Sequence, residues 1–362
     1  MAYFRIPYEA TKTFCEKVFQ GYGFTEEEAV QITDVLLTSD LWGIESHGVQ
    51  RLIRYHKEFT EGIARRDTKP EIIKETPISA TIDGHAYVGQ LLSAQAMRMA
   101  IDKAKKVGVG IVVVRDGTHN GVEGYYSEMA AKEGLFGMAS TNTEAMMVPT
   151  GGREAILGTN PIAVSMPAEP YPFTFDAATT VVPRGKLEVY AKRDGVLPDN
   201  MALDETGQPC TDADRVLSNI IAKNFGGILP VGGPSEMWGG HKGYGFGMLC
   251  EILTGIFAGG KTSYEACRIP NRAETCQFFM AIDYGMFGDK AEIEKSFNEF
   301  LELIRNSPAA EGVDKVYTHG QKGFENARIV KEQGVLINEK TYEEMKMIGE
   351  YTGASELLPV RR

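Results

Sequence analysis

The stretch Gly110-Ile-Val-Val-Val-Arg-Asp-Gly-Thr-His-Asn-Gly121 runs from an apolar, β-branched segment into a glycine-rich loop. Helical patterns flank it, over Ala94–Lys106 before it and Tyr125–Lys132 after it. A buried strand between helices is typical of an α/β fold. Because α/β proteins often carry ligand-binding groups on loops at strand ends, His119 is a candidate functional residue. An exposed loop histidine without a function is the equal alternative.

The alternation of strand and helix patterns continues along the middle of the chain. Further β-rich runs are Phe136–Ser140, Ile162–Met166 and Phe173–Phe175. The N-terminal residues 1–75 read instead as helical, because Pro7 suits a first helical position and Thr25-Glu-Glu-Glu28 has the form of a capping box. The sequence therefore predicts a helix-rich N-terminal part followed by an α/β part.

Three later segments also carry a structural prediction. The polar stretch Asp194–Arg215 predicts an excursion from the fold or a flexible insertion. Gly243–Ile256 predicts a glycine-led, buried helix. Near the C-terminus an amphipathic helix is indicated by apolar residues at helical spacing, namely Ile293, Phe297, Phe300, Leu301 and Ile304.

Composition narrows the classes of partner. The 362 residues carry a formal net charge of −11, whereas nucleic acids and anionic membranes are bound by basic faces. We therefore expect neither as a partner, although one local basic pocket would suffice for an anionic metabolite. The five cysteines lack CxxC spacing, and the sequence has neither the apolar core of a signal peptide nor a run of ~18 apolar residues. We expect a cytoplasmic protein with reduced thiols.

The sharpest local pattern is Ser46-His-Gly-Val-Gln-Arg51. If residues 45–57 form one helix, His47, Arg51 and Arg54 share a face opposite the apolar one. On that face Arg51 would pair with the carboxylate of a 2-hydroxy acid and His47 would reach the neighbouring hydroxyl. The alternative is the solvated face of an amphipathic helix, and spacing alone favours this second interpretation.

A second glycine-rich pattern, His241-Lys-Gly-Tyr-Gly245, lies at a predicted helix start. Backbone amides there, together with Lys242, make a plausible contact for a phosphate or nicotinamide group. An equally good interpretation is that the glycines allow the start of this helix to pack tightly against a sheet. The sequence contains no GxGxxG after a strand, no P-loop, no GxSxG and no HExxH motif. A Rossmann domain and a metal site are therefore not predicted.

In combination and in order, these motifs resemble the malate/L-lactate/L-sulfolactate dehydrogenase family, which is also similar to ureidoglycolate dehydrogenase. The resemblance spans about residues 5–350. It is carried by Ser46 to Leu52, Thr118-His-Asn-Gly121, Thr141-Asn-Thr143, Leu157-Gly-Thr-Asn-Pro161, Asp176-Ala-Ala-Thr-Thr180, Arg184-Gly-Lys186, Gly232-Gly-Pro234 and Lys242-Gly-Tyr-Gly245. One departure is Asn120, which stands where the family has an aromatic residue.

The resemblance implies an α/β fold with a non-Rossmann, mixed-sheet nicotinamide-binding domain and a second, helix-rich domain formed by both termini. We expect the first to span residues 76–289 and the second to combine 1–75 with 290–362. The resemblance also implies a homodimer that uses NAD or NADP. Its reaction would be hydride exchange with a small-molecule carboxylate, a 2-hydroxy or 2-imino acid.

The family's site residues carry over to positions of this chain. His47 and His119 are the candidates for acid/base work, with His47 slightly favoured because it lies beside the proposed clamp. Asp176 is proposed to orient one of them, and Ser46 and Arg51 to bind the substrate. Arg54 or Arg184 could hold a second carboxylate. The cofactor is assigned to Thr143, Asn160, Ala177, Ala178, Thr179, Thr180, Lys242 and Gly243.

Malate is the favoured substrate, with lactate, sulfolactate and ureidoglycolate as alternatives in the same family. If one of the histidines carries the proton, the dependence of kcat on pH should show an inflection near the ordinary histidine pKa of ~6.5. A metal-dependent lyase or hydrolase built from the six histidines is the rival from another class. No pair of histidines and carboxylates has a convincing metal-site spacing, so the rival has little support from the sequence.

Overall fold

A computed structural model describes residues 3–192 and 196–361, and within them the predicted α/β class is confirmed. The strands are β1 (Tyr3–Ile6), β2 (Glu71–Glu75), β3 (Ser79–Asp83), β4 (Val109–Gly117), β5 (Phe136–Thr141), β6 (Ile162–Met166), β7 (Phe173–Ala177), β8 (Ala202–Leu203), β9 (Gly227–Ile228), β10 (Thr275–Ile282) and β11 (Val335–Asn338). The helices are α1 (Tyr8–Gly21), α2 (Glu26–Leu41), α3 (Leu52–Thr60), α4 (Gly89–Val107), α5 (Glu123–Lys132), α6 (Arg184–Lys192), α7 (Ala213–Ala222), α8 (Gly240–Glu251), α9 (Lys290–Arg305), α10 (Gln321–Gln333) and α11 (Glu339–Thr352).

The central sheet has the strand order β2-β3-β4-β10-β5-β6-β7. Only β3 and β4 run parallel in it, and the other neighbouring pairs are antiparallel. A Rossmann sheet is mostly parallel, so the predicted non-Rossmann mixed sheet is confirmed. The predicted strands and helices of residues 94–175 are all present, and β6 has the predicted bounds Ile162–Met166.

The N-terminal part is helical as predicted, with two exceptions. The capping box is confirmed, because the Thr25 side chain accepts from the backbone N–H of Glu28 while the Glu28 carboxylate accepts from that of Thr25. The all-helical prediction is wrong at β1 and β2. Strand β1 pairs with β11 near the C-terminus, and β2 pairs with β3. The partner of β1 lies at the other end of the chain, and tertiary pairing of this kind overrides local propensity. Strand β2 instead forms a local hairpin with β3.

Helices from both ends of the chain share one apolar core. Phe14 and Phe19 of α1 pack there with Ile32 of α2, Ile337 of β11 and Ile348 of α11. A second core lies between the sheet and helices α4 and α5. Since α2 contributes Val35 to this second core, the C-terminal half of α2 is held against both. This end leads directly into the His47 segment.

Two later predictions are correct only in part. The polar stretch is folded rather than flexible over residues 196–215, because Leu197 and Ala202 pack with Val216 and Ile220 of α7. Its β8 pairs with β9 in a sheet separate from the central one, which agrees with the alternative of an excursion from the fold; Asp194 lies outside the described residues. Helix α8 and the π-helical turn Ile252–Ile256 that continues it occupy the predicted helix at 243–256. This helix is not buried, since large apolar side chains on it are 40–58% exposed, namely Phe246, Met248, Leu249, Ile252 and Ile256.

Candidate active site

A cavity of about 330 Å³ lies where the N-terminal segment meets the central sheet. It brings together residues from several parts of the chain that are remote in sequence. Its lining includes His47, Arg51 and Arg54 from the N-terminal segment, His119 and Asn120 after β4, Thr141 to Glu144 at the end of β5, and Arg184, Gly185 and Glu188 of α6. Its volume lies in the range of small-molecule binding sites.

The predicted helix over residues 45–57 is interrupted in the structure. Glu45–His47 and Val49–Arg51 form two 3₁₀ turns, and α3 starts only at Leu52. Gly48 between the turns is extended, with φ −84° and ψ −151°. His47 and Arg51 nevertheless both face the cavity. The solvated-face interpretation that spacing favoured is therefore wrong.

The two histidines lie side by side. Their ring centroids are 5.8 Å apart and their planes differ by 21°. The Nδ1 atom of His47 is 2.9 Å from the Ser46 hydroxyl oxygen, and that of His119 is 2.9 Å from the Tyr55 hydroxyl oxygen. Because these contacts occupy Nδ1, Nε2 is the nitrogen that each ring offers to a ligand.

The environment disfavours protonation of both imidazoles. Burial, with the Arg51 and Arg54 charges, lowers the pKa of His47 to about 3. Burial, with the same two arginines and His47, lowers the pKa of His119 well below its ordinary value. In the ligand-free protein neither imidazole is therefore expected to titrate near the ordinary histidine pKa. Both rings are neutral at neutral pH and able to accept a proton.

Three arginines line the cavity, but their surroundings differ. Arg54 pairs with Glu58 at 2.7 Å, and Arg184 pairs with Glu188 at 3.1 Å and with Glu144 at 3.6 Å. The Nε atom of Arg51 donates to the carbonyl oxygen of Ser46. Among the described residues, Arg51 is the cavity arginine without a carboxylate in salt-bridge contact. It is thus the guanidinium most available to an anionic ligand.

Asp176 does not contact either histidine, contrary to the sequence-based expectation. Its Oδ2 accepts from the backbone N–H of Gly124 at 2.8 Å, and burial raises its pKa to about 6. It lines a different cavity of about 310 Å³ with Trp42, Tyr171 and Phe324. Sequence separation carries no information on distance, which is why the pairing could not be predicted. Tyr55 and Ser46 are the residues that contact the histidine rings.

The residues assigned to the cofactor fall into two groups. Thr143 lines the cavity, and its Oγ1 accepts from the backbone N–H of Thr159 at 3.0 Å. Behind this wall, the buried Asn160 amide donates to Glu251 at 2.8 Å. Strand β7 ends at Ala177, and Ala178 follows it. The side-chain hydroxyls of Thr179 and Thr180 donate to the carbonyl oxygens of Thr159 and Val182. These contacts hold the cavity wall in place.

Lys242 and Gly243 lie in the first turn of α8, away from the cavity lining. Lys242 is exposed. A Cβ atom at Gly243 would lie 2.0 Å from the carbonyl oxygen of Val231, so this glycine permits the close packing that was the alternative interpretation. Lys242 therefore belongs to a separate surface of this chain.

Sequence reasoning missed Tyr55 and Glu123. Tyr55 is 2% exposed and holds His119, although it stands among apolar positions of α3 that looked like ordinary core. Glu123 is 1% exposed, and its Oε1 accepts from the Asn120 amide at 2.8 Å. Burial raises the pKa of Glu123 to about 8. The unusual Asn120 was the one sequence signal at this position, since a polar residue there requires a buried partner.

A further group of possible metal ligands lies outside the cavity. Asp83, His85 and Asp116 place one ligand atom each within 4.8 Å of one another. Arg115 neutralises Asp83 at 2.8 Å, and Arg272 approaches Asp116 at 3.3 Å. These ion pairs account for the group as a surface charge network, so it lends no support to the metal-dependent rival.

The chain is similar to known dehydrogenases over almost its full length. Residues 6–346 match the family model described as malate/L-lactate dehydrogenase. The malate dehydrogenase of Pyrococcus horikoshii is 39% identical over 98% of this chain and 97% of its own. The L-sulfolactate dehydrogenase of Methanocaldococcus jannaschii is 36% identical over 94% of this chain and 95% of its own.

Solved structures agree with this relationship. The P. horikoshii malate dehydrogenase structure superimposes with a TM-score of 0.88 at 37% identity, covering 97% of this chain and 96% of the other. A malate dehydrogenase from Entamoeba histolytica superimposes with a TM-score of 0.92 at 32% identity, covering 97% and 99%. The resemblance inferred from the motifs is confirmed, and the chain belongs to the malate/L-lactate dehydrogenase family.

Proposed function

We propose that this protein is a 2-hydroxy acid dehydrogenase that interconverts malate and oxaloacetate with NAD or NADP. The observation that carries the proposal is one cavity holding two neutral histidines beside an arginine without a carboxylate partner. A carboxylate, a C2 oxygen and a movable proton are what a 2-hydroxy acid presents to these groups. The full-length similarity to malate dehydrogenases supports the choice of substrate.

Arg51 binds the C1 carboxylate in this proposal. Its planar guanidinium can form two parallel hydrogen bonds and so fix the orientation of the acid. The second carboxylate of malate is assigned to Arg54. Glu58 contacts Arg54 at Nε, which leaves its terminal nitrogens for the ligand, whereas Arg184 is engaged through both Nε and Nη1. Lactate, which lacks the second carboxylate, would leave Arg54 unused.

The histidines handle the proton of the C2 oxygen. In the oxidative direction one neutral imidazole accepts the hydroxyl proton through Nε2, and the other donates a hydrogen bond to the same oxygen. In reduction the first ring returns the proton. The Tyr55 and Ser46 hydroxyls keep the rings in place, because each contacts an Nδ1 atom.

The nicotinamide supplies a hydride acceptor when it is bound. A cavity of about 330 Å³ with threonine hydroxyls on its wall fits a small acid and a nicotinamide ring, but not a whole dinucleotide beside the acid. We assign Thr143 to the nicotinamide end, with Asn160 and residues 177–180 as its support. Lys242 is assigned to the phosphates, and Gly243 to the close packing of the helix start that presents Lys242.

We also propose a cytoplasmic homodimer with no nucleic-acid or membrane partner. Exposed apolar side chains on and next to α8 and the turn after it include Met237, Trp238, Phe246, Ile256 and Phe257, and this concentration of exposed apolar side chains supports an interface there. In the described part of the chain no helix has the length and apolarity to cross a bilayer, and the cysteines are unpaired, which fits a reducing compartment. In sedimentation equilibrium we expect a molar mass twice that of one chain, and the mass of a single chain would contradict the proposed dimer.

We also propose that the chain forms two domains, a helix-rich one of residues 1–75 with 290–362 and a nicotinamide-binding one of residues 76–289.

The function itself is tested by following oxidation of NADH and of NADPH with a panel of 2-oxo acids. Oxaloacetate is expected to give the highest kcat/KM, and pyruvate a lower one because it lacks the second carboxylate. Equal rates with both acids would argue against the role of Arg54.

A further inference from the structure

Asp40 is a buried acidic residue at the end of α2 that the proposed mechanism does not use. It is 7% exposed, and among the described residues no cation forms a salt bridge with it. Its Oδ2 accepts from the backbone N–H of Val49 at 2.8 Å. Burial of a carboxyl group without a cation is costly. The hydrogen bond with Val49 offsets part of this cost, and the stability of the rest of the fold covers the remainder.

Gly48 is shaped to receive this carboxyl group. A Cβ atom built at Gly48 would lie 2.1 Å from Oδ1 and 2.5 Å from Oδ2 of Asp40, so any side chain there would displace the carboxyl group. Gly48 is also the extended residue between the two 3₁₀ turns. One of those turns ends at His47 and the other ends at Arg51. The contact therefore lies at the joint between the two turns that carry the site residues.

The end of α2 is itself anchored. The Asp40 carbonyl oxygen accepts from the backbone N–H of Gly43 at 3.1 Å and from the Asn326 amide of α10 at 3.3 Å. The carbonyl oxygen of Ser39 accepts from the backbone N–H of Ile44 at 2.8 Å. The backbone at Asp40 is thus held by the loop that follows α2 and by α10, and the Asp40 side chain in turn fixes the position of residues 48 and 49.

We infer that Asp40 is a positioning residue, whose carboxyl group holds the chain at Gly48 and so sets the placement of His47 relative to Arg51. The expected change in KM and kcat rests on the proposed function, whereas the expected change in the backbone at residues 48 and 49 does not. Burial raises the pKa of Asp40 to about 8, so the group is neutral at neutral pH. Asparagine has the same shape and offers the same acceptor to Val49, and it should replace Asp40 with little loss.

The kinetic test compares three variants with the wild type. In Asp40→Ala the Val49 N–H has no acceptor, so we expect KM for the 2-oxo acid to rise at least ~10-fold and kcat to fall. Asp40→Asn should keep both constants within about threefold. Asp34→Ala is the matched control, because Asp34 lies on the same helix but pairs with Lys12 at the surface. A purely structural role would lower the active fraction without changing KM.

Hydrogen exchange of the Val49 amide provides a readout that needs no activity. It should accelerate at least ~10-fold in Asp40→Ala and remain slow in Asp40→Asn. Unchanged KM and unchanged exchange in Asp40→Ala would overturn the inference, as would equal losses in the two Asp40 variants. If Asp40→Ala does not fold, Gly48→Ala takes its place with the same expected effects. If the wild type is inactive with every 2-oxo acid, the proposed function fails and exchange alone decides the role of Asp40.

Discussion

The imidazole rings of His47 and His119 lie 5.8 Å apart and nearly parallel, although they come from parts of the chain that are remote in sequence. One ring is held by a hydroxyl of its own segment and the other by Tyr55 of α3. A C2 oxygen between the two Nε2 atoms would meet one proton acceptor and one hydrogen-bond donor.

His47→Ala and His119→Ala should each lower kcat at least ~100-fold. Since the environment lowers the pKa of both rings, kcat/KM for malate oxidation should stay flat through neutral pH and past the ordinary histidine pKa of ~6.5, with its acid limb only at a clearly lower pH. The variant that lacks the proton acceptor should lose this acid limb. His85→Ala, at an exposed surface position, is the control. A deuteride isotope effect must show that hydride transfer limits the rate, and near-normal kcat in either variant would remove that histidine from the mechanism.

Arg51→Lys keeps the positive charge but loses the planar fork of the guanidinium. We expect kcat/KM to fall by ~10- to 1,000-fold, which corresponds to roughly 1.4–4 kcal/mol of transition-state stabilisation. Steady-state kinetics with oxaloacetate would measure this loss. Arg65→Lys is the matched control, because Arg65 pairs with Asp67 on the surface. Unchanged kinetics with every 2-oxo acid would exclude Arg51 as the carboxylate clamp.

Lys242→Ala tests the assignment of the cofactor phosphates. Removal of a cation at the start of α8 should weaken the binding of NADH or NADPH while the circular dichroism spectrum stays the same. Fluorescence titration of the reduced nicotinamide would measure the affinity. Lys340→Ala on α11, an exposed lysine in another helix, should bind like the wild type. An affinity of Lys242→Ala within twofold of the wild type would show that the phosphates bind elsewhere.

The buried carboxyl group of Glu123 should make stability depend on pH. Burial raises its pKa from 4.5 to about 8, so the folded protein retains a proton that the unfolded chain has released. The stabilisation is complete below pH 4.5 and is lost as the pH rises towards 8. The free energy of unfolding should fall by up to ~1.4 kcal/mol per pH unit for this one proton.

In Glu123→Gln this dependence on pH should be shallower. Glutamine still accepts from the Asn120 amide, and it cannot ionise. Urea unfolding between about pH 5 and pH 8 would measure the slope, with Glu133→Gln at an exposed position of the same region as control. Parallel curves for the wild type and Glu123→Gln would mean that Glu123 is ionised in the folded protein.

Local signals predicted much of this structure. The capping box at Thr25 and the strand Ile162–Met166 depend on neighbouring residues, and both are found where the sequence indicates. The helix over residues 45–57 was wrong because its break at Gly48 depends on Asp40, which contacts it only in the folded chain. Tyr55 could not be distinguished from core residues until its contact with His119 was seen. Contacts across elements are what a single sequence leaves open.

The most direct test of the account is the fate of the transferred hydride. Wild-type protein would be incubated with oxaloacetate and with NADH or NADPH deuterated at C4 of the nicotinamide, and the product would be examined by mass spectrometry and NMR. The account predicts malate with deuterium at C2, formed at a rate that Arg51→Lys and Arg65→Lys affect very differently. Failure to transfer deuterium to C2 of oxaloacetate or of any other 2-oxo or 2-imino acid, with either cofactor, would contradict it.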